Sequence, residues 1–424
     1  MSDYIFMLES RLSSDQIQLL VQVQQAAERA QVHLFLAGGA IRDLLGGFPI
    51  RDLDFSIEGP ALKLVKQLDR RLFTVVAADE NRQAAELLFG GAVTAEISMC
   101  RKETYAKTGG APEVTRATIQ DDLSRRDFSV NALALSLNPA SRGLLLDPTN
   151  GLADIEHKEL RVLHNYGFFD DPARLLRLVR LASRLKYSIE ERTRTHMDSA
   201  REAGVEEYIT PRARLLELRH LAAEPEAADA VKALHTADLL KVFEPHLSKK
   251  LDLPALSRLD KARRLLQNPS QWVDNFGPFL YCLTRKLSSA ERSSLKSRCG
   301  MRASEAAAWT DLESRAKTLQ KTLASKQAAQ NSKLYKLLDS HDPAVALFLL
   351  AFSPLQPVRE KVKNYFIHLH PLARSIDDRE VEAAAGVKRE SAKFAAARDA
   401  YIATRLDKKP PKPETAKAAP AAPH

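Results

Sequence analysis

A short apolar run, Val32 to Ala37, ends in Gly38-Gly39, passes through Arg42-Asp43 to Gly46-Gly47, and then meets the alternating stretch Asp52-Leu53-Asp54-Phe55-Ser56-Ile57. This order reads as strand, glycine turn, short helix over 40–45, turn and strand. In a strand, residues i and i+2 share a face. Leu53, Phe55 and Ile57 therefore point one way, and Asp52, Asp54 and Ser56 the other. Two carboxylates side by side repel each other unless a cation lies between them. Hard oxygen donors with open positions suit magnesium, which takes one or two carboxylates plus substrate phosphates. The glycine pair lets backbone approach a ligand, and the helix start offers free N–H groups and a positive dipole end to phosphate. Arg42 adds charge in the first turn. Alone, the glycines are a tight turn and the Asp-x-Asp a solvated face. Together they point to metal-assisted phosphate chemistry.

The rest of the chain is organised around this segment. At 424 residues it exceeds one core. Residues 13–31 have helical periodicity. Further strands are expected over 74–77, 86–89 and 93–98, and a helix over 60–71. An α+β unit thus ends near Pro148. Beyond 151 strand signals nearly vanish, and prolines such as Pro211, Pro225, Pro245 and Pro254 punctuate successive helices. The domains expected are a head over 1–150, a helical neck over 151–222, a helical body and tail over 223–407, and a disordered Pro/Ala/Lys-rich end over 408–424. Lys and Arg outnumber Asp and Glu by 63 to 54, compatible with a polyanionic partner. Cys100, Cys282 and Cys299 form neither a disulfide framework nor a zinc spacing. The first residues lack a signal-peptide pattern, and the longest apolar run, Ala344 to Phe352, is too short to span a bilayer. A cytoplasmic protein with no membrane partner is the expectation.

Three more features carry chemistry. Glu96, in Val-Thr-Ala-Glu-Ile-Ser, is either a third carboxylate for the same metal or an exposed strand residue. In Asp-Leu-Ser-Arg-Arg-Asp-Phe-Ser-Val-Asn, the residues Arg125, Arg126, Asp127 and Asn131 interrupt an apolar run, and buried charges need partners. They either meet a nucleotide, with Asp127 accepting from a ribose hydroxyl, or form an internal Arg–Asp bridge. Asp171-Pro172 reads as a helix N-cap and first helical residue. Arg174, Arg177, Arg180 and Arg184 then recur at spacings of three and four, as a basic stripe opposite Leu175, Leu178, Val179 and Ala182. Such a stripe is usually solvated; here it follows a phosphate-transfer motif. Asp accepts hydrogen bonds and Arg donates them. Asp171 and Arg174 at i and i+3 therefore match cytosine and adenine, which each show an amine beside a ring-nitrogen acceptor. Uracil and guanine reverse that pattern and leave groups unpaired. His341-Asp342 reads as a loop and N-cap, and His368 and His370 as surface residues.

These clusters, in this order, resemble the class II tRNA nucleotidyltransferase and bacterial poly(A) polymerase family of the DNA polymerase beta superfamily. The matching stretches are Gly38 to Phe55, Asp122 to Leu135, Asp147 to Ile155 with Arg161, and Asp170 to Arg180, with Arg101 to Val114 similar to the family's flexible loop. The resemblance implies an α+β nucleotidyltransferase head, with a small mixed sheet, on an all-α neck, body and tail. It implies Asp52 and Asp54 as the catalytic magnesium-binding pair. It implies Gly38, Gly39, Arg42 and Arg177 at the triphosphate, Arg126 and Asp127 at the sugar or phosphates, and Asp171 and Arg174 as the template for the base. The implied substrates are CTP, ATP and the 3′ end of tRNA, bound along the helical region. Addition of CC, of A or of all of CCA all fit, a poly(A) polymerase is the alternative, and a non-catalytic RNA-binding protein is a more distant one. The chain departs from the family at Asp170, where Glu is usual, at Asn150-Gly151, where a glycine pair is usual, and in the fifth motif. There Arg212 and Ala213 replace Glu-Arg, while Glu217 remains.

Overall fold

A computed structural model describes residues 4–90, 93–266 and 273–408. The end expected to be disordered lies outside the described residues from 409 onward. The chain divides into two compact units, Met1–Thr310 and Asp311–His424.

In the first unit, α1 (Tyr4–Arg11) and α2 (Ser14–Ala30) precede the sheet. Ser13 and Gln16 form a reciprocal capping box that satisfies two orphan donors at the start of α2. The sheet is built from β1 (Leu34–Ala37), β2 (Leu53–Ile57), β3 (Phe73–Asp79), β4 (Ala84–Phe89) and β5 (Val93–Met99), with the short helices α3 (Gly39–Gly46) and α4 (Ala61–Val65) between them. The expected helix over 60–71 is one turn and a half, because the chain breaks into turns after Val65. Next comes a separate hairpin, β6 (Arg101–Thr104) and β7 (Glu113–Arg116), where the family resemblance implies a flexible loop. Helix α5 (Ile119–Ser124) leads to β8 (Ala134–Ser136) and β9 (Leu145–Leu146).

The seven sheet strands run in the order β3-β4-β5-β2-β1-β8-β9. All neighbours are antiparallel except β2 and β5, whose parallel register sets Asp54 opposite Glu96. Leu53, Phe55 and Ile57 are fully buried, as the alternation requires. Their core is shared with Leu36, Ile41 and Leu44 and with Leu175 and Leu178 of the later helix. Leu175 and Leu178 thus draw the basic helix onto the head, and the packing fixes the direction of its arginines.

From α6 (Gly151–His157) the described residues are helical except for one two-residue parallel pair, β10 (Glu159–Leu160) with β11 (Ser188–Ile189). The elements that border the cavity described below are α7 (Gly167–Asp170), α8 (Arg174–Leu185) and, after α9 (Glu191–Glu202), α10 (Pro211–Ala223). The second unit is a helical array whose apolar centre includes Leu347, Leu349 and Tyr365. There Asp342 caps its helix through Ala344 N–H, as expected. His370, expected at the surface, is instead buried, because a π-helical turn over Tyr365–Leu369 rotates it inward beside the Tyr365 ring. No helix among the described residues is long and apolar enough to cross a membrane.

Candidate active site

The turn between β1 and α3 depends on Gly38. Its φ is +71°, and a Cβ there would lie 2.5 Å from Arg126 Nη1. Only glycine combines that backbone with that approach. Its N–H donates to Leu133 O at 3.0 Å, anchoring the turn to the chain leading into β8. Arg42, one turn into α3, is buried; it donates to Asn131 Oδ1 at 2.6 Å and to Asp43 Oδ1 at 2.9 Å.

Asp54 projects from β2 beside Glu96 of β5, with Asp52 just before the strand. Burial pushes the Asp54 carboxyl up to about 7, Glu96 and Asp52 push the same way, and Arg126 and Arg42 oppose them. The Thr94 hydroxyl donates to Asp52 Oδ1. Glu86 lies across from Glu96 on β4 and is raised by burial, then by Glu96 and Asp52. The donor set is oxygen only and crowded with negative charge, which suits a hard divalent cation. Among the described residues no three His, Cys, Asp or Glu side chains converge as a ready-made metal cage.

Arg126 reaches under the glycine turn. Its Nη2 donates to Asp122 at 3.1 Å and to Ser56 at 3.2 Å, its Nη1 donates to Asn131 O at 3.3 Å, and its buried Nε has no partner. Asp127 is held from three sides: by Phe128 N–H, by Asn131 Nδ2 and by Arg177 Nη1 at 2.9 Å. Burial pushes Asp127 up, but Arg177, Arg174 and these hydrogen bonds outweigh it and bring it to about 2. Of the two readings open from the sequence, an internal Arg–Asp bridge is therefore present, and it joins the second cluster to the third.

Asp171 does not cap α8. The helix begins at Arg174, and Asp171 is extended (φ −130°, ψ 90°), closing α7, with its carboxylate accepting from Ala173 N–H at 3.2 Å. The preceding α7 already uses the backbone up to Asp171, so Pro172 falls in a turn between two helices. Arg174 is only 5% exposed. One nitrogen donates to Arg125 O, while Nε and Nη1 are buried without a hydrogen-bond partner among the described residues, Nε 3.8 Å from Asp171 Oδ2. Buried donors left unpaired cost free energy unless a ligand takes them. The basic stripe is likewise not solvated. Arg177 and Arg180 both donate to Glu217, at 3.3 and 3.1 Å. Glu217 is buried and held far below the usual carboxylate range: burial raises it, but Arg180, His220 and Arg177 outweigh that. In the altered fifth motif, Arg212 is exposed, so the substitution spares the buried partner of the stripe.

All of the residues singled out, Gly38, Gly39, Arg42, Asp52, Asp54, Glu96, Arg126, Asp127, Asn131, Asp171, Arg174 and Arg177, line one cavity of about 420 Å³. Ten arginines and six carboxylates line it, a surplus of positive charge suited to a triphosphate. Glu86, Thr94 and Arg51 escape a reading of the sequence. The first two are placed by cross-strand register, and Arg51 by packing between distant segments.

Residues 34–161 match the poly A polymerase head domain. An A-adding tRNA nucleotidyltransferase of Halalkalibacterium halodurans is 41% identical over 189 residues, covering 45% of this chain and 44% of that protein. A CC-adding tRNA nucleotidyltransferase of Deinococcus radiodurans is 37% identical over 207 residues, 47% of this chain and 53% of that one. The chain thus spans about half the length of these curated relatives. The solved Thermotoga maritima CCA-adding enzyme complexed with tRNA shares the fold, with a TM-score of 0.51 and 24% identity over 97% of this chain and 96% of that one. The stretch over residues 34–161 is thus similar to a poly A polymerase head domain, and the motifs singled out in the sequence gather in one cavity.

Proposed function

We propose that the chain is a magnesium-dependent tRNA nucleotidyltransferase that adds all or part of the 3′-terminal CCA from CTP and ATP and releases pyrophosphate. The observation that carries this reading is the cavity itself. It is lined both by the Asp52–Asp54 pair and by Asp171 and Arg174, whose buried Nε and Nη1 have no hydrogen-bond partner among the described residues. Asp52 and Asp54 would hold a magnesium ion, with Glu96, opposite Asp54 in the parallel register, as the candidate third ligand, and the ion would supply charge neutralisation and activation of the attacking hydroxyl. The protein's own groups do the rest. Backbone N–H groups at Gly38 and Gly39, with Arg42, Arg126 and Arg177, bind and orient the triphosphate. Asp127 and Asn131 hold the sugar side. Asp171 accepts from the exocyclic amine of cytosine or adenine, and Arg174 donates to the neighbouring ring nitrogen. The names of the relatives support tRNA as the acceptor. The head is assigned to residues 1–150, base recognition to the neck over 151–222, and RNA binding to the helices of 223–407.

The test gives purified protein, with magnesium, tRNAs lacking one, two or three terminal nucleotides and an unrelated RNA, with each nucleoside triphosphate in turn. Addition that stops within CCA is expected. Long A tails on the unrelated RNA would establish a poly(A) polymerase instead, and no transfer at all would leave an RNA-binding protein. Incorporation of UTP and GTP on a par with CTP and ATP would remove the template role of Asp171 and Arg174.

A further inference from the structure

The last residue of the described arginine wall is tied to a carboxylate that no motif contains. Glu224, just beyond α10, is 2% exposed. Its Oε1 accepts from Arg180 Nη1 at 2.6 Å. Its Oε2 makes no hydrogen bond among the described residues and lies 3.7 Å from both Arg184 Nε and Arg51 Nη1. Arg184 in turn contacts Asp43 Oδ2 at 2.5 Å, and the other oxygen of Asp43 accepts from Arg42 Nε.

Followed from Arg42, these contacts run through Asp43, Arg184, Glu224 and Arg180 to Glu217, which also holds Arg177. A second route from Arg42 to Arg177 passes through Asn131 and Asp127. The two routes close a ring of contacts, of which Arg42, Asn131, Asp127, Arg177, Arg180 and Arg184 line the cavity. The part of the wall that faces phosphate and the helix that faces the base therefore cannot shift independently. The first route is also the fragile one. Burial, then Arg42 and Arg51, push Arg184 down to about 10, so the arginines crowd one another and depend on the acids between them. A buried charge stripped of its counter-charge rearranges or admits water.

We propose that Glu224, acting with Asp43, is a positioning residue for nucleotide binding: it fixes Arg180 and Arg184 so that Arg42 and α8 keep one spacing, matched to a nucleoside triphosphate with an amine-bearing base. This rests on the nucleotidyl-transfer reading above. Glu224→Gln keeps the shape and removes the charge. With a ligand mispositioned by a fraction of an ångström, KM for CTP and for ATP rises about ten-fold, and the preference for ATP over UTP falls by about the same factor. Asp43→Asn does likewise. The double variant is no worse than the more severe single one, because both cut the same arm. Calorimetric titration of the full chain with CTP, without RNA, shows the same loss of affinity. A merely structural role lowers the melting temperature and leaves KM, CTP affinity and base preference of the folded protein unchanged; that result overturns the proposal. If Glu224→Gln does not fold, Asp43→Asn decides by the same readouts. A wild-type chain that binds CTP but transfers nothing overturns the nucleotidyl-transfer reading alone, and the affinity comparison still judges Glu224.

Discussion

Asp54 shows function and stability opposed in one side chain. Its carboxyl is raised to about 7 by burial and by Glu96 and Asp52. A group whose folded pKa lies above its unfolded value stabilises the fold below the unfolded value and loses that contribution as pH rises through the folded one. For Asp54 the loss runs from about pH 4 to about 7, at about 1.4 kcal/mol per unit. Asp54→Asn is therefore expected to melt higher than wild type at pH 8 without metal, by about 1 kcal/mol or more, while transfer is abolished. Scanning calorimetry and a transfer assay check both halves, and retained activity in Asp54→Asn or Asp52→Ala would overturn the metal assignment. Gly38→Ala makes the opposite case. It places a Cβ 2.5 Å from Arg126 Nη1 on a backbone with φ of +71°. We expect a cost of about 1–2 kcal/mol, seen as a lower denaturation midpoint, together with weakened triphosphate binding.

At the scale of the element, α8 is a helix whose charged face is interior. Leu175 and Leu178 bury one side in the head core, and Arg177 and Arg180 meet Glu217 and Glu224 on the other. Arg180→Ala leaves two buried carboxylates facing fewer counter-charges and is expected to destabilise the first unit by about 3–5 kcal/mol, measured by urea denaturation. The same helix shows what a sequence reading can reach. The spacing of Arg174, Arg177, Arg180 and Arg184 was legible, as were the strand–turn–helix–strand order from Leu34 to Ile57 and the carboxylate pair. All of these are local patterns. That the stripe is interior was not legible, because its partners lie 37 or more residues away. The β6–β7 hairpin was missed for a related reason. Its strands, Arg-Lys-Glu-Thr and Glu-Val-Thr-Arg, lack apolar alternation, and the charges of β6 are met within the strand by Arg101–Glu103 and from beyond the hairpin by Arg125–Glu103. The start of α8 was misplaced because Asp-Pro marks a turn as well as a cap.

Over the whole molecule, the two units carry different acid thresholds. His370 in the second unit is pushed down from 6.5 to about 4, by burial and then by Arg374. A depressed pKa contributes stability above the unfolded value that is lost as pH falls toward the folded one. The second unit is expected to weaken between about pH 6.5 and 4, whereas the contribution of Asp127 in the first persists until pH falls from 3.8 toward 2. Trp309 is buried in the first unit, and the sequence of the second, from Asp311 onward, contains no tryptophan. Thermal melts at pH 5 should thus show an early loss of far-UV dichroism that tryptophan emission does not report, and His370→Phe should reduce it. The parallel pairing of β2 with β5 has a consequence of another kind. Antiparallel neighbours can zip up from a hairpin, but parallel ones wait for everything between them to cross over. Here that includes α4 and the β3–β4 hairpin, so Asp54 and Glu96 meet only after the intervening loop has closed. Loop closure of this sort is slow beside helix formation. In refolding from denaturant, most of the helical signal should return before Asp54 and Glu96 are brought together, so on the proposed reading nucleotide affinity in the presence of magnesium should recover later than far-UV dichroism.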